Sequence, residues 1–122
     1  MRVLLVDSEP DCQQFLKRWF KTKFNNINLE ICEYATECWQ KLQTGNPDLI
    51  ITAICLKEID GLEMIRLIRK QKNNTPIIIF SATSINQETK NELDELKTHF
   101  VQKPNIEELR EKIKILIPTP TY

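Results

Sequence analysis

Glycine and histidine are nearly missing from this chain, with two of the first and one of the second among 122 residues. Loops that cradle phosphate depend on glycine for close backbone approach and on positive potential. The stretch Asp7-Ser8-Glu9-Pro10, which follows the first apolar run, has no glycine and opens with an anion. A flavin or nucleotide cradle is therefore not expected there. The four cysteines, Cys12, Cys32, Cys38 and Cys55, form no Cys-x-x-Cys pair, and His99 is the sole imidazole. That set does not suit a zinc site. Reduced, part-buried thiols are expected, although Cys32 and Cys38 could approach one another where a strand meets a helix.

Excess charge of one sign is also lacking, since 17 basic and 17 acidic side chains cancel. The balance argues against broad attraction to nucleic acid or anionic lipid, and no basic recognition helix suggests direct DNA binding. No apolar run approaches the roughly 18 residues a membrane helix needs. The longest, residues 49–56, contains Thr52. The N-terminus passes into Asp7 too soon for a secretory signal. A soluble, cytoplasmic protein with no membrane contact is expected.

What is present is one core's worth of apolar residues, 41% of the chain, enough for a single compact domain. Apolar runs of four to six residues alternate with segments of helical period. Strands are predicted at 3–6, 29–32, 49–52, 77–80 and 99–102. The first, third and fourth are almost continuous in Val, Leu, Ile and Phe, as central strands covered on both faces should be. The second and fifth carry polar residues and fit edges. Phe15, Leu16, Trp19, Phe20 and Phe24 predict a helix over 9–24. Trp39 and Leu42 mark a short second helix, Leu62, Met64, Ile65 and Ile68 a third, and Ile106, Leu109, Ile113 and Leu116 a fifth. The fourth, around 86–97, offers only Leu93 and Leu96 to a core and is thinly anchored.

Helix starts recur as a cap followed by an acid: Ser8 before Asp11, Asp60 before Glu63, and Asn105 before Glu108. Five strands alternating with five helices imply an α/β fold, a parallel sheet with helices on both faces and right-handed crossovers. In the flavodoxin-like order 2-1-3-4-5, the loops at the carboxyl ends of the strands carry function. The domain is expected to span residues 1–117, with Pro118-Thr119-Pro120-Thr121-Tyr122 as a tail or the start of a linker.

Four residues fall at those carboxyl ends: Asp7, Ala53, Ser81 and Lys103. With Asp60-Gly61 seven residues after Ala53 and Pro104 after Lys103, this set resembles the receiver domain of bacterial response regulators, the CheY-like family. The resemblance implies a magnesium site built from two acids after strand one and a phosphate-accepting aspartate after strand three. It also implies a hydroxyl and a lysine to bind phosphoryl oxygens, and an aromatic on strand five that transmits the signal. Here Asp7 matches the first acid, Ser8 stands in place of the second, and Ala53 replaces the acceptor. Ser81 and Lys103 match the hydroxyl and the lysine, Phe100 occupies the aromatic position, and a cis peptide before Pro104 is implied.

One carboxylate of three remains, so weak or absent Mg2+ binding is expected and no phosphotransfer to position 53 is chemically possible. Asp7 and Lys103 are expected to form an ion pair, Ser8 to cap the first helix, Ser81 to satisfy a nearby backbone donor, and Phe100 to pack inward. Glu58 is expected to point into solvent. The resulting expectation is not an enzyme but an atypical receiver acting as a phosphorylation-independent interaction module in two-component signalling. Its protein partners, a second copy among them, would dock on the helix four–strand five–helix five face. The alternative is an active phosphoreceiver with a non-standard acceptor such as Asp60.

Overall fold

A computed structural model describes residues 1–117; the tail expected at 118–122 lies outside the described residues. Ten elements alternate along the chain: β1 (Arg2–Val6), α1 (Pro10–Lys23), β2 (Asn28–Cys32), α2 (Ala35–Gln43), β3 (Leu49–Thr52), α3 (Gly61–Lys70), β4 (Ile77–Ser81), α4 (Gln87–Glu95), β5 (Thr98–Gln102) and α5 (Ile106–Leu116). The strands form one sheet in the order β2-β1-β3-β4-β5, parallel at every pairing. This is the flavodoxin-like arrangement implied by the strand–helix alternation.

Burial explains why the central strands are so apolar. Every residue of β3 and β4 is buried, because alternate side chains enter two separate cores. Val3, Leu5, Ile51, Ile78 and Val101 face α1 and α5, packing with Leu16, Trp19, Phe20, Leu109 and Ile113. Leu4, Val6, Ile50, Ile77 and Ile79 face the other side, against Ala35, Cys38, Met64, Ile65, Ile68 and Leu93. On α1, Trp19 meets Phe20 and Phe24 edge-on, with centroids 5.1 and 5.4 Å apart.

α4 is the exception to apolar anchoring, since Leu93 is its only buried residue. Arginines from α3 supply the rest. Arg66 forms a fork on Glu92, with Nε donating to Oε2 at 2.6 Å and Nη2 to Oε1 at 2.8 Å. Arg69 donates from Nε to the Leu96 carbonyl at 2.7 Å and from Nη1 to the Asn73 and Thr75 carbonyls at 2.8 Å each. A cation is well placed at the C-terminus of α4, where carbonyls lack intrahelical donors.

Two of the helix starts are as expected. Asp60 Oδ1 accepts from Glu63 N–H at 2.7 Å, and Asn105 Oδ1 accepts from Glu108 N–H at 3.2 Å. The start of α1 differs. Its cap is Glu9, without a side-chain cap bond, and Ser8 does not fill that role. Asp7 Oδ1 instead accepts from Glu9 N–H at 2.8 Å, closing a turn just before the helix in which an aspartate binds the backbone two residues on. All four cysteines are free.

Candidate functional site

The rim is assembled by backbone bonds at the carboxyl ends of four strands. Ala53 N–H donates to Val6 O at 3.0 Å, and Lys103 N–H donates to Ser81 O at 2.9 Å. These bonds bring Asp7, Ala53, Ser81 and Lys103 to one end of the sheet, as the sequence predicted. Across them, Lys103 Nζ donates to Asp7 Oδ2 at 3.0 Å. The expected ion pair is present, and Asp7 is buried to 2% exposure. Lys103 Nζ also lies 5.7 Å from the centre of the Phe80 ring, within range of a cation–π attraction. The peptide between Lys103 and Pro104 is cis.

Both carboxylate oxygens of Asp7 are thus engaged, Oδ1 by the Glu9 amide and Oδ2 by Lys103. Burial opposes the charged form of Lys103, but the hydrogen bond and the charge of Asp7 outweigh it and hold the lysine above its ordinary value. Cys12, in the first turn of α1, belongs to the same cluster. Burial first, then the Asp7 charge and hydrogen bond, push its thiol up to about 11, which keeps it protonated at neutral pH. The sequence reading missed this neighbour. A helix beginning at residue 10 turns position 12 back over the end of β1, and that spacing was the available signal.

The methyl of Ala53 is nearly buried, at 6% exposure. Beside it the chain turns tightly: Gly61 N–H donates to Ile54 O at 2.6 Å. A Cβ at position 61 would lie 2.1 Å from the Ala53 carbonyl oxygen, so only glycine permits α3 to start this close to the end of β3. Ser81 Oγ accepts from Thr83 N–H at 3.4 Å, the local backbone role expected for it. Cys55 and Thr83 connect neighbouring loops, with Sγ and Oγ1 3.7 Å apart. Ser8 is half-buried.

Two acids outside the cluster are committed elsewhere. Asp60 caps α3. Glu58 is exposed, as expected, and there its Oε1 accepts from Thr36 Oγ1 at 2.7 Å, tying the loop before α3 to α2.

Away from the rim, an open groove of about 660 Å³ runs along β5 between α4 and α5. Ile85, Lys90, Leu93, Asp94, Phe100 and Lys112 are among its walls. Phe100 packs against the core on the α2–α4 side but stays half-buried. It packs inward as expected, and it is half-buried because β5 lies at the edge of the sheet. Burial, followed by the charge of Lys112, lowers the pKa of His99, against an opposing pull from Asp94.

The response regulator receiver domain family matches residues 3–114. The chain belongs to this family. Its fold is similar to the receiver domain of Francisella response regulator 1452, with a TM-score of 0.83 and 31% identity over 94% of each chain. It is also similar to the Thermotoga maritima response regulator TrrA, solved with Mg2+ and BeF, with a TM-score of 0.77 and 31% identity over 95% of this chain and 98% of that one. Among curated proteins it resembles response regulator MprA of Mycobacterium avium, 26% identical over 118 residues, covering 96% of this chain and 51% of that protein. The chain thus spans about half the length of the curated relatives it matches. A receiver domain is a signalling module of two-component systems that works with partner proteins. Among the described residues, no helix is long and apolar enough to cross a membrane.

Proposed function

We propose that this receiver domain works as a phosphorylation-independent interaction module. One observation carries the reading: a methyl, that of Ala53, occupies the acceptor position, while the one carboxylate left beside it has both oxygens taken. Magnesium requires near-octahedral oxygen ligation and gives up its water reluctantly. Asp7 could serve it only by releasing Lys103 and the Glu9 amide, and Ser8 and Ala53 add no charge. The residues present do not fit the ion, and its binding is weak or absent.

In this reading the Asp7–Lys103 pair replaces a chemical switch with a fixed contact. An oppositely charged pair spans the ends of β1 and β5 in every molecule, with no modification required. The scaffold then presents a constant surface to a signalling protein, through the face made by α4, β5 and α5. The polar, arginine-held α4 and the half-buried Phe100 lie on that face.

The test is an intact-mass measurement after incubation with acetyl phosphate and magnesium, with Asp60→Asn in parallel. The mass of the unaltered protein should not change. A stable phosphoryl adduct that disappears in Asp60→Asn would establish the alternative, an active receiver with a displaced acceptor.

A further inference from the structure

We infer that the groove between α2 and α3 seats an amphipathic helix of a partner protein, with an aromatic anchor at its centre and basic residues in its last turn. The groove lies on the flank of α3 turned away from α4, apart from the α4–β5–α5 face, and its role does not depend on the interaction-module reading. Ala35, Thr36, Trp39, Ile59, Met64 and Leu67 line a volume of about 220 Å³. None of them carries a charge. Ile59 and Leu67 are exposed to 36% and 40%, and Trp39 is half-buried. A cavity of about 150 Å³ admits benzene, so this one has room for a single aromatic side chain.

α2 and α3 each lead from the end of one parallel strand back to the start of another. They therefore run side by side in the same direction, packed on the same face of the sheet. α2 sends its charges away from the groove. Lys41 Nζ donates to Glu30 on β2 at 3.0 Å, and Glu37 accepts from the Glu33 and Tyr34 N–H groups at 3.1 Å each. The stripe left on the groove side is Thr36, Gln40 and Gln43, exposed and uncharged. α3 likewise turns Arg66 and Arg69 toward α4, leaving Leu67 at the groove. An apolar centre holding tryptophan and methionine, bordered by neutral polar side chains, has the composition of an interface core.

The walls decide what can fill it. Both are helices whose backbone groups are bonded internally, so an extended segment would bury its own N–H and C=O groups unpaired. A helix satisfies its own and meets the groove with side chains alone. With nine and ten residues, α2 and α3 offer about 14 Å of length, or roughly two and a half helical turns. Charge then sets the direction. The end beside the helix N-termini carries Glu58, Asp60 and Glu63, all exposed, while the nearby Lys57 is taken by Glu33 at 2.9 Å. Arg66 reaches Glu63 only at 3.4 Å and is forked on Glu92. The far end carries Lys70 and Lys72, also exposed. Helices favour acids in the first turn and bases in the last. A partner antiparallel to α3 thus brings its basic end to the three acids and its acidic end to the two lysines. A parallel partner sets like charges together at both ends.

The test titrates the unaltered chain with helix-forming peptides of about three turns, alanine-based with one central phenylalanine. One has acids first and bases last, a second has the charges reversed, and a third has alanine in place of phenylalanine. The readout is the Trp39 indole N–H signal in a proton–nitrogen correlation spectrum, identified by its loss in Trp39→Phe. Trp19, in the core on the other face of the sheet, is the control. The first peptide should shift the Trp39 signal saturably below about 1 mM and leave that of Trp19 in place. The reversed peptide should bind about threefold or more weaker, and the alanine peptide should not saturate. Leu67→Glu should weaken the first peptide about tenfold or more, and Lys70→Glu should narrow the gap between the two charge orders. No saturable shift with any peptide would overturn the inference, as would equal binding of both charge orders. A Trp39 shift produced equally by free indole, or by concentrating the chain alone, would replace it with a small-molecule pocket or with self-association. Phosphorylation enters none of these outcomes, so the inference can fail while the interaction-module reading survives.

Discussion

The interior of the sheet and its carboxyl-end rim have been held to different standards. In the interior, every position of β3 and β4 is buried and apolar or hydroxylated, and the close approach at Gly61 leaves no room for a Cβ. At the rim, a few residues away, one acid position has become Ser8 and another Ala53, with Asp7 and Lys103 paired between them. The difference teaches that packing and signalling chemistry are separable here. The interior is filled throughout, whereas the rim holds Asp7 and Lys103 as a pair beside a serine and a methyl.

The largest test of that contrast lies in the interior. Ile50→Ala, which opens a cavity beneath the rim without touching it, should cost about 2–5 kcal/mol in chemical denaturation. A loss below about 1 kcal/mol would mean the interior is as permissive as the rim. Gly61→Ala should follow at about 1–3 kcal/mol, because the added methyl meets backbone that cannot swing aside. A neutral result there would show that the turn beside Ala53 is free to move.

At the rim, Lys103→Met should cost about 2 kcal/mol by leaving the buried Asp7 carboxylate without its cation. Asp7→Asn in the same chain should recover part of that loss. The pair also has a pH signature of definite sign. Lys103 is raised above its ordinary value of 10.5 in the folded protein. Its stabilisation is therefore whole at lower pH and fades as pH rises through the folded value. The stability gap between unaltered protein and Lys103→Met should stay level from neutrality to about pH 10 and shrink above it. The smallest effect should come from Arg66→Gln, because the Arg66–Glu92 fork is exposed and screened. A small fall in melting temperature, further reduced by salt, would confirm that α4 is the weakly held side of the domain.

The strands were legible because each central one must satisfy two cores, leaving runs of Val, Leu, Ile and Phe that no surface element would carry. The edge positions followed from those runs, since the predicted second and fifth strands admit charged or polar residues. Asp7, Ala53, Ser81 and Lys103 were legible as a group because each closes a strand. The errors came where a side chain's partner is set by distance through space. Ser8 was read as a cap from its type and place, but the helix starts one residue later, with Glu9 at the cap and its amide held by Asp7. Cys12 is the reduced, part-buried thiol expected, but its place beside Asp7 and Lys103 was not foreseen. α4 carries too few apolar residues to explain its own docking, and the arginines that hold it lie on α3. Phe100 packs against the core as expected, though the groove along an edge strand leaves it half covered.

The central claim is most directly tested by titrating the unaltered protein with beryllofluoride and magnesium, following tryptophan fluorescence, beside the Ser8→Asp/Ala53→Asp variant. The account predicts a flat trace for the unaltered chain and a saturable, magnesium-dependent change for the variant. A saturable, magnesium-dependent change in the unaltered protein would contradict it.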